Sequence, residues 1–352
     1  MPINAAQITK AGYTSIDFHA RNNPIDQIAV DRPLIKKLME GRKAFPGAKQ
    51  YLTERARKSY DSNFQWFEGA DQVTYNSKDT IRPVQFVWGE AHDGYVLTES
   101  ELLQNGISVT DDRKAEPSES ELVQLVNLLE ENAEALDLGF KEKFDYELHL
   151  DGTQNAKSIP GLDNLISLNP TVGTVAGIDR SQTANIWWRN NFSTAIAAAN
   201  LIDQMEKQWR ACTRNGGSPD FILAGDDFMD VYRAQAGTAT AAGGVQRTHE
   251  TGGRKGIDLD GSVSGLFFKG VPIIWDPVFD DLDANLAPAT PWSKRCYFIN
   301  SRHLRLRPAS GQDMVTRKPP RVYDRYAHYF AKTWRGAMTM TRANAHSVLA
   351  IS

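Results

Sequence analysis

Two acidic clusters contain the residue types in this sequence that could bind a metal ion. Asp226 and Asp227 are adjacent after a short apolar run, and Asp280, Asp281 and Asp283 form the second cluster. Because neighbouring carboxylates can hold Mg²⁺, one hypothesis is a soluble metal-dependent enzyme that uses the Asp226 and Asp280 clusters. A helix cap after a strand explains the first cluster better, and the second lacks the glycine and terminal glutamate of a calcium loop.

The other residues that could do chemistry form no catalytic set. The histidines are scattered, none at the spacing of paired metal ligands, and no serine lies in a nucleophile elbow. Cys212 and Cys296 are too few for a disulfide scaffold or a thiolate zinc site, so we expect two reduced thiols. The sequence therefore predicts no enzyme activity, no catalytic or metal site and no cofactor.

Cations near the C-terminus are the strongest charge feature of a chain whose net charge is -3. Only Asp313 and Asp324 oppose them between residues 294 and 335. Alternation along a strand would place Arg305 and Arg307 on one face and the intervening leucine on the other. Two interpretations stay open: the cations pair with acidic residues within or between chains, or they contact nucleic-acid phosphates.

The longest periodic segment of the chain predicts one long helix. Ser118 and Glu121 form a capping-box pattern, and apolar residues then recur at spacings of three and four up to Leu148. If helical throughout, this segment is roughly 45 Å long. The other face is predicted to be acidic and to carry the following residues: Glu119, Glu130, Glu131, Glu134, Asp137, Glu142, Asp145 and Glu147. We predict that Glu130 and Glu134 meet the basic C-terminal region across a subunit or domain boundary, so that assembly depends on ionic strength.

A long hairpin is predicted between Asn63 and Val96. The segments NFQWF and DQVTY lead to a polar turn around residues 76–79, and TIRPVQFVWG returns from it. Two strands alone are marginal in water, so we predict that the hairpin aromatics pack mainly against another subunit. The interface residues predicted on this hairpin are Phe86, Trp88, Lys78 and Arg82.

The order of elements along the chain resembles that of a known family. An arm, a hairpin and the long helix are followed by HLDGTQNAKSIPGLDNLIS, GTVAGIDRSQTANIWWRNN, GLFFKGVPIIWD and CYFINSRHLRL. This order resembles the major capsid proteins of tailed bacteriophages, which have the Hong Kong 97-like fold. The resemblance implies an α+β fold with an N-terminal arm (1–57), an extended β-hairpin loop (58–98), a peripheral domain with a spine helix (99–157 and 311–352) and an axial domain (158–310).

The resemblance also implies a function. Such a protein is a structural major capsid protein that self-assembles into hexamers and pentamers, which form an icosahedral head around double-stranded DNA. Its partners would be other copies of itself, a scaffolding protein, a portal and a cement protein. It would be located in the virion and assembled in the host cytoplasm, and no segment is apolar and long enough to span a membrane.

Contact with packaged DNA would be non-specific, through phosphates only, because a shell meets every sequence of the genome. The cations expected to face the DNA are Arg42, Lys43, Lys49, Arg302, Arg305 and Arg307. Two alternatives remain at this point: an encapsulin-type shell protein, which shares this architecture, and the soluble metal-dependent enzyme.

Overall fold

A computed structural model describes residues 30–47, 50–104, 119–214, 216–238, 266–319 and 327–352; side chains are described in these ranges except at 119–130 and 236–238. The α-helices are α1 (Pro33–Glu40), α2 (Glu99–Gln104), α3 (Glu119–His149), α4 (Leu162–Leu165), α5 (Leu201–Thr213), α6 (Asp226–Thr238) and α7 (Val278–Leu286). The strands are β1 (Tyr51–Arg57), β2 (Ile81–Val87), β3 (Gly89–Thr98), β4 (Thr174–Val175), β5 (Ile178–Asp179), β6 (Asn191–Ile196), β7 (Phe221–Ala224), β8 (Phe267–Phe268), β9 (Val271–Trp275), β10 (Arg295–Ile299), β11 (Leu304–Pro308), β12 (Val315–Arg317), β13 (Ala327–Met340) and β14 (Ser347–Ile351).

The chain forms two compact units. Among the described residues, one unit contains residues 30–31, 94–104, 119–138, 318–319 and 327–331, and the other contains the rest from residue 32 onward. Helix α3 and strands β3 and β13 contribute residues to both units. The larger unit holds both hydrophobic core clusters and all of the sites discussed below.

A six-stranded mixed sheet, in the order β6-β14-β10-β7-β9-β8, separates two hydrophobic cores. Phe221 and Leu223 of β7 belong to the cluster that we call the first core, whereas Ile222 and Ala224 belong to the second core. Strands β10 and β14 alternate in the same way, because successive side chains of a strand point to opposite faces. Burial on both faces explains why these strands are continuous apolar runs in the sequence rather than alternating ones.

The last strand of the chain lies in this six-stranded sheet. Strand β14 pairs antiparallel with β10 and parallel with β6. Residues 347–351 were expected in the peripheral domain, but their backbone hydrogen bonds place them in one sheet with strands expected in the axial domain. Such pairing between distant segments leaves no local sequence pattern, which is why the expectation missed it.

The predicted long helix is present as α3, which has 31 residues. From its C-terminal half, Phe140, Phe144 and Leu148 enter the first core at a spacing of four residues. Phe140 stacks on Phe144 with 5.8 Å between ring centroids, and Phe144 lies 4.6 Å from the ring of Trp334 on β13. This end of the helix is therefore held by aromatic packing.

The predicted hairpin is present and its second strand, β2, lies within TIRPVQFVWG as predicted, but its first strand, β1, lies earlier in the sequence than predicted. Strand β1 pairs antiparallel with β2, from Tyr51 opposite Val87 to Arg57 opposite Ile81, and residues 58–80 between them contain no strand. Alternate residues of β1 and β2 are buried in the first core, which gives these strands a surface to pack on. The aromatic segments NFQWF and DQVTY have no such surface in this chain, so the strand prediction for them was wrong.

No helix among the described residues combines the length and apolarity that crossing a membrane would require. Helices α5 and α6 instead pack one face each on the second core, through Leu201, Ile202 and Met205 of α5 and through Phe228 and Tyr232 of α6.

Two glycines near the end of α3 should respond in opposite ways to substitution by alanine. A Cβ on Gly161 would collide with the carbonyl oxygens of Leu148 and Leu150, whereas a Cβ on Gly139 would have no heavy atom within 4 Å. We expect Gly161→Ala to lower the free energy of unfolding by about 1–3 kcal/mol. Gly139→Ala should raise it by about 0.5–1 kcal/mol, because alanine loses less backbone entropy in a helix. Urea denaturation of both variants measures this, and equal effects of the two would contradict the packing described here.

Candidate functional site

A loop between β1 and β2, residues 58–80, exposes all five of its aromatic side chains. These are Tyr60 (78% exposed), Phe64 (74%), Trp66 (90%), Phe67 (68%) and Tyr75 (92%). Soluble chains bury most of their aromatic surface, and a group of exposed aromatics marks a surface that binds something. We call residues 58–80 the aromatic loop.

Hydrogen bonds between the two sides of the aromatic loop hold it extended. The Asp79 backbone N–H donates to the Asp61 carboxylate over 3.2 Å, and the Asn63 amide donates to the Thr74 carbonyl. At the tip, the Asp71 N–H donates to the Glu68 carbonyl over 2.8 Å. Because polar groups within the loop satisfy one another, the aromatics remain on its surface.

The four predicted interface residues of the hairpin differ in burial: one is buried in the chain's own core, and the other three are at least partly exposed. Phe86 is only 2% exposed and lies in the first core, so the prediction that it packs against another subunit was wrong. Trp88 packs on the same core but stays partly exposed, and the Arg82 guanidinium donates to Asn185 Oδ1 over 2.9 Å. Lys78 is exposed, but it lies away from the tip, which is at Gly69.

A fully buried charge centre joins three distant segments of the larger unit. Asp145 and His149 come from α3 and Asp276 follows β9, and all three are 0% exposed. His149 Nε2 lies 2.9 Å from Asp276 Oδ2, and His149 Nδ1 lies 2.7 Å from the Asp145 backbone carbonyl. Asp145 Oδ1 accepts the backbone N–H of Ile35 in α1 over 3.0 Å. The centre therefore ties α1 and the start of α7 to the long helix.

The surroundings of this centre favour a protonated histidine. Both ring nitrogens face acceptors, because a carbonyl oxygen can only accept and the Asp276 carboxylate accepts when ionised. Burial alone would lower the pKa of His149, but the charges of Asp276 and Asp145 outweigh it and raise the pKa to about 9. Burial raises the pKa of Asp145 to about 6, and its Oδ2 has no hydrogen-bond partner among the described atoms.

The residue types of this centre are also those of metal ligands. Within the described part of the chain, only Asp145, His149 and Asp276 bring three such ligand atoms within 4.8 Å of one another. The rings of Phe279 and Trp292 pack edge-on around His149, at centroid distances of 5.5 and 6.3 Å. A closed apolar shell around a hydrogen-bonded imidazolium is suited to stabilising the fold rather than to binding a substrate.

Comparison with known proteins is informative at the level of structure. No family model matches the sequence, and no curated protein matches it significantly. Among solved structures, the capsid asymmetric unit of cyanophage A-1(L) matches with a TM-score of 0.63 and 16% identity, over 93% of this chain and 94% of that one. The capsid of Myoviridae phage XM1 matches with a TM-score of 0.55 and 14% identity, over 94% and 95% of the two chains. The capsid of a native GTA particle matches with a TM-score of 0.54 and 11% identity, over the full length of both.

This chain has a phage capsid fold. The predicted fold class, α+β with the Hong Kong 97-like capsid architecture, is thereby confirmed. At these identities the likeness establishes the fold alone, and the function of this capsid fold has to be argued from its own residues.

The acidic clusters considered as an enzyme site have structural roles in this capsid fold. Asp226 and Asp227 lie in the first turn of α6, as expected for a helix start after a strand, and the Ser293 hydroxyl donates to Asp227 over 2.9 Å. Asp283 accepts the backbone N–H groups of residues 292 and 293. Burial and the nearby acidic residues, first Asp226, raise the pKa of Asp280 to about 6, so the two clusters are close in space. They are not among the sets with metal-ligand geometry in the described chain.

Of the cations expected to face DNA, some form ion pairs within the chain and others are exposed or partly exposed. Arg307 donates to the Lys43 carbonyl over 2.8 Å and forms an ion pair with Glu54, so the DNA-facing prediction was wrong for it. Arg42 lies 2.7 Å from the Asp313 carboxylate. Arg302, Arg305 and the Lys43 side chain are at least partly exposed, and Lys49 lies outside the described residues.

Other charges of the C-terminal region pair with elements other than the long helix. Arg335 lies 3.4 Å from Glu90, and the buried Arg295 lies 3.0 Å from Asp163. On the long helix, Glu134 is exposed and the side chain of Glu130 is outside the described residues. The contact predicted for this acidic face thus remains a prediction about assembled copies.

Sequence reasoning missed the charge centre and the true position of the exposed aromatics. Asp145 was assigned to the acidic solvent face of the helix, but it is fully buried. A signal was present, since Asp145 and His149 are four residues apart and flank the buried positions Phe144 and Leu148. The partner Asp276 could not be found, because it is 127 residues away in sequence.

Raising the pH should weaken the fold through the charge centre. The folded pKa of His149, about 9, lies above its ordinary value of 6.5, so its stabilisation is complete below about pH 6.5 and is lost as the pH rises through about 9. The raised pKa of Asp145 acts in the same direction between about pH 4 and 6. Denaturation of wild type and His149→Gln from about pH 5 to 10 should show a difference on the order of 3 kcal/mol that shrinks at high pH.

A second variant separates the ion pair from a simple packing defect. His149→Gln with Asp276→Asn removes the pair without leaving an uncompensated carboxylate, so we expect it to be more stable than His149→Gln alone near pH 6. If His149→Gln keeps the same pH dependence as wild type, the histidine is not charged in the folded protein.

Proposed function

We propose that this protein is the major shell subunit of a tailed-phage capsid. Copies of it assemble into hexamers and pentamers, which close into an icosahedral head around double-stranded DNA. The observation that carries the proposal is the aromatic loop. The capsid fold alone does not determine function, whereas burial of the exposed aromatic side chains against another subunit would favour assembly.

The area of the loop aromatics is appropriate for a specific protein contact. A large aromatic side chain has on the order of 150 Å² to bury, so the five exposed rings offer roughly 700 Å² together. This is close to the roughly 800 Å² that each partner contributes to a standard interface, and above the largest apolar patch of a typical monomer. A chain that stayed monomeric would leave this surface in water.

Another copy of this chain is the partner that the proposal assigns to the loop. A loop of one copy that docks on a different surface of the next makes a head-to-tail contact, which closes into a ring when the rotation between copies allows it. Rings of five and six subunits are the rings from which an icosahedral shell is built. A contact through the loop of each subunit would repeat around every such ring.

The proposal includes the partners and location that accompany this role. A scaffolding protein, a portal and a cement protein would act with the shell, the mature protein would be in the virion, and assembly would take place in the host cytoplasm. The subunit itself would be structural and would catalyse no reaction. An encapsulin-type shell is distinguished by its contents, since purified particles would then hold a protein cargo instead of nuclease-protected DNA.

Truncation of loop aromatics should prevent assembly without unfolding the chain. We expect Trp66→Ala with Phe67→Ala to lower the yield of closed particles at least roughly tenfold, since central aromatic anchors carry most of an interface's energy. Because both rings are exposed, the free energy of unfolding of the unassembled subunit should change by less than about 0.5 kcal/mol. Negative-stain microscopy and sedimentation measure the particles, and urea denaturation measures the fold.

Leu286→Ala provides the matched control. Leu286 is 50% exposed at the end of α7, outside the aromatic loop, and its truncation should leave particle yield at the wild-type level. Normal particles from the double loop variant would show that the loop is not an assembly contact, and a wild-type protein that forms no particles under any assembly condition would count against the shell function itself.

A further inference from the structure

The charge centre has the spacing of a metal site. One carboxylate oxygen of Asp145, one of Asp276 and a ring nitrogen of His149 all lie within 4.8 Å of one another, and the three side chains are fully buried. The ligand atoms of a tetrahedral ion with bonds of about 2.0–2.2 Å lie roughly 3.3–3.6 Å apart, which is within this range. One small cation can therefore contact all three side chains.

Hydrogen bonds to the chain orient each of these side chains through its other polar atom. His149 Nδ1 lies 2.7 Å from the Asp145 backbone carbonyl, which leaves Nε2 facing Asp276. Asp145 Oδ1 accepts the N–H of Ile35 over 3.0 Å, and Asp276 Oδ1 accepts the N–H of Val278 over 3.2 Å. In metal sites the imidazole donates its other N–H to a carbonyl or carboxylate, and the carboxylate ligands are hydrogen-bonded in turn. The chain supplies all of these supporting bonds.

A buried oxygen without a partner and an uncompensated charge both favour a cation here. Asp145 Oδ2 has no hydrogen-bond partner among the described atoms, although the residue is 0% exposed. A protonated His149 compensates only one of the two carboxylates, and burying the second charge is costly. Arg32 also acts on Asp145, but it is shared with Glu142 at 3.6 Å. A divalent cation with two carboxylates and a neutral imidazole leaves no net charge.

We propose that the charge centre binds one Zn²⁺ as a structural ion through Asp145, His149 and Asp276. One imidazole nitrogen and two carboxylate oxygens are common ligands of Zn²⁺, whereas Mg²⁺ and Ca²⁺ prefer oxygen ligands only and take about six or more of them. Three protein ligands leave the fourth tetrahedral position to one water molecule that enters with the ion.

The ion and a proton compete for the same position in the charge centre. Zn²⁺ binds the unprotonated Nε2 of His149, so each ion that binds releases the proton between His149 and Asp276 to solvent. Because the centre is closed to solvent, the ion enters while the chain folds, and its binding free energy adds to that of folding. The inference is independent of the shell function, since all three ligands belong to one chain.

Refolding of the full-length protein with and without the metal tests the inference. Wild type is refolded from urea with Zn²⁺ or with EDTA, desalted and analysed by plasma mass spectrometry, which should find about one zinc ion per chain after refolding with Zn²⁺. Zn²⁺ at about 100 times its Kd should raise the folding equilibrium constant about 100-fold, which is measured as a higher urea midpoint. No bound zinc, or equal midpoints in Zn²⁺ and EDTA, would overturn the inference.

Two variants and a matched control locate the ion. Asp145→Asn keeps the acceptor for the Ile35 N–H and the pair of His149 with Asp276, but its zinc affinity should fall at least roughly 100-fold. His149→Gln/Asp276→Asn should show no difference between Zn²⁺ and EDTA. His92→Gln/Asp230→Asn removes an imidazole and a carboxylate from exposed positions and should bind zinc as wild type does. Zinc retained by Asp145→Asn at wild-type affinity would show that the ion binds elsewhere.

X-ray absorption at the zinc edge of the wild-type protein gives a result that does not depend on the folding of any variant. We expect a shell of nitrogen and oxygen atoms at about 2.0–2.2 Å, with imidazole scattering and without sulfur at about 2.3 Å. Sulfur in the shell would assign the ion to Cys212 or Cys296 and overturn the inference. A shell of oxygen atoms alone would identify an adventitious surface ion and would overturn it equally.

Discussion

Apolar surface that the chain cannot bury by itself is the constraint on which this account depends. The aromatic loop leaves its rings in solvent, although the larger unit buries most of its other large apolar side chains in two cores. The exposed rings therefore do not reflect a poorly packed protein. A tightly packed body with one unburied aromatic segment is the arrangement expected of a subunit that is completed by its neighbours.

The body that carries this loop is reinforced at the place where distant segments meet. The six-stranded sheet is buried on both faces, and the loop emerges from strands β1 and β2, whose inner side chains join the same core as the end of α3. At that end, Asp145 and His149 join α1 and Asp276, which lies two residues before α7, through buried hydrogen bonds. A buried ion pair adds little net stability compared with apolar packing, but breaking it is costly, so it fixes the relative position of the elements it joins. A contact between subunits gains from such rigidity because less conformational entropy is lost on assembly.

Local sequence patterns predicted the long helix and part of the hairpin, whereas contacts between residues far apart in the sequence could not be predicted. The long helix was visible in its apolar spacing, and strand β2 lies within the segment TIRPVQFVWG that was predicted as a strand. The first strand of the hairpin was placed too late in the sequence, because the apolar aromatics of NFQWF resemble a strand and the alternation of β1 is interrupted by charged residues. Asp276 with His149, Arg307 with Glu54 and the pairing of β14 each join residues far apart in sequence, and a single sequence contains no signal for such contacts. The sequence also does not tell which cations are paired within the chain. Arg305 and Arg307 share one strand face, but among the described residues only Arg307 forms an ion pair.

A cryo-electron microscopy structure of particles assembled from the wild-type protein tests the central claim most directly. The account predicts closed shells in which the side chains of Trp66 and Phe67, 90% and 68% exposed in the single chain, are buried against a neighbouring subunit around every ring. Shells in which both rings still face solvent would contradict the assignment of the aromatic loop as the contact that drives assembly.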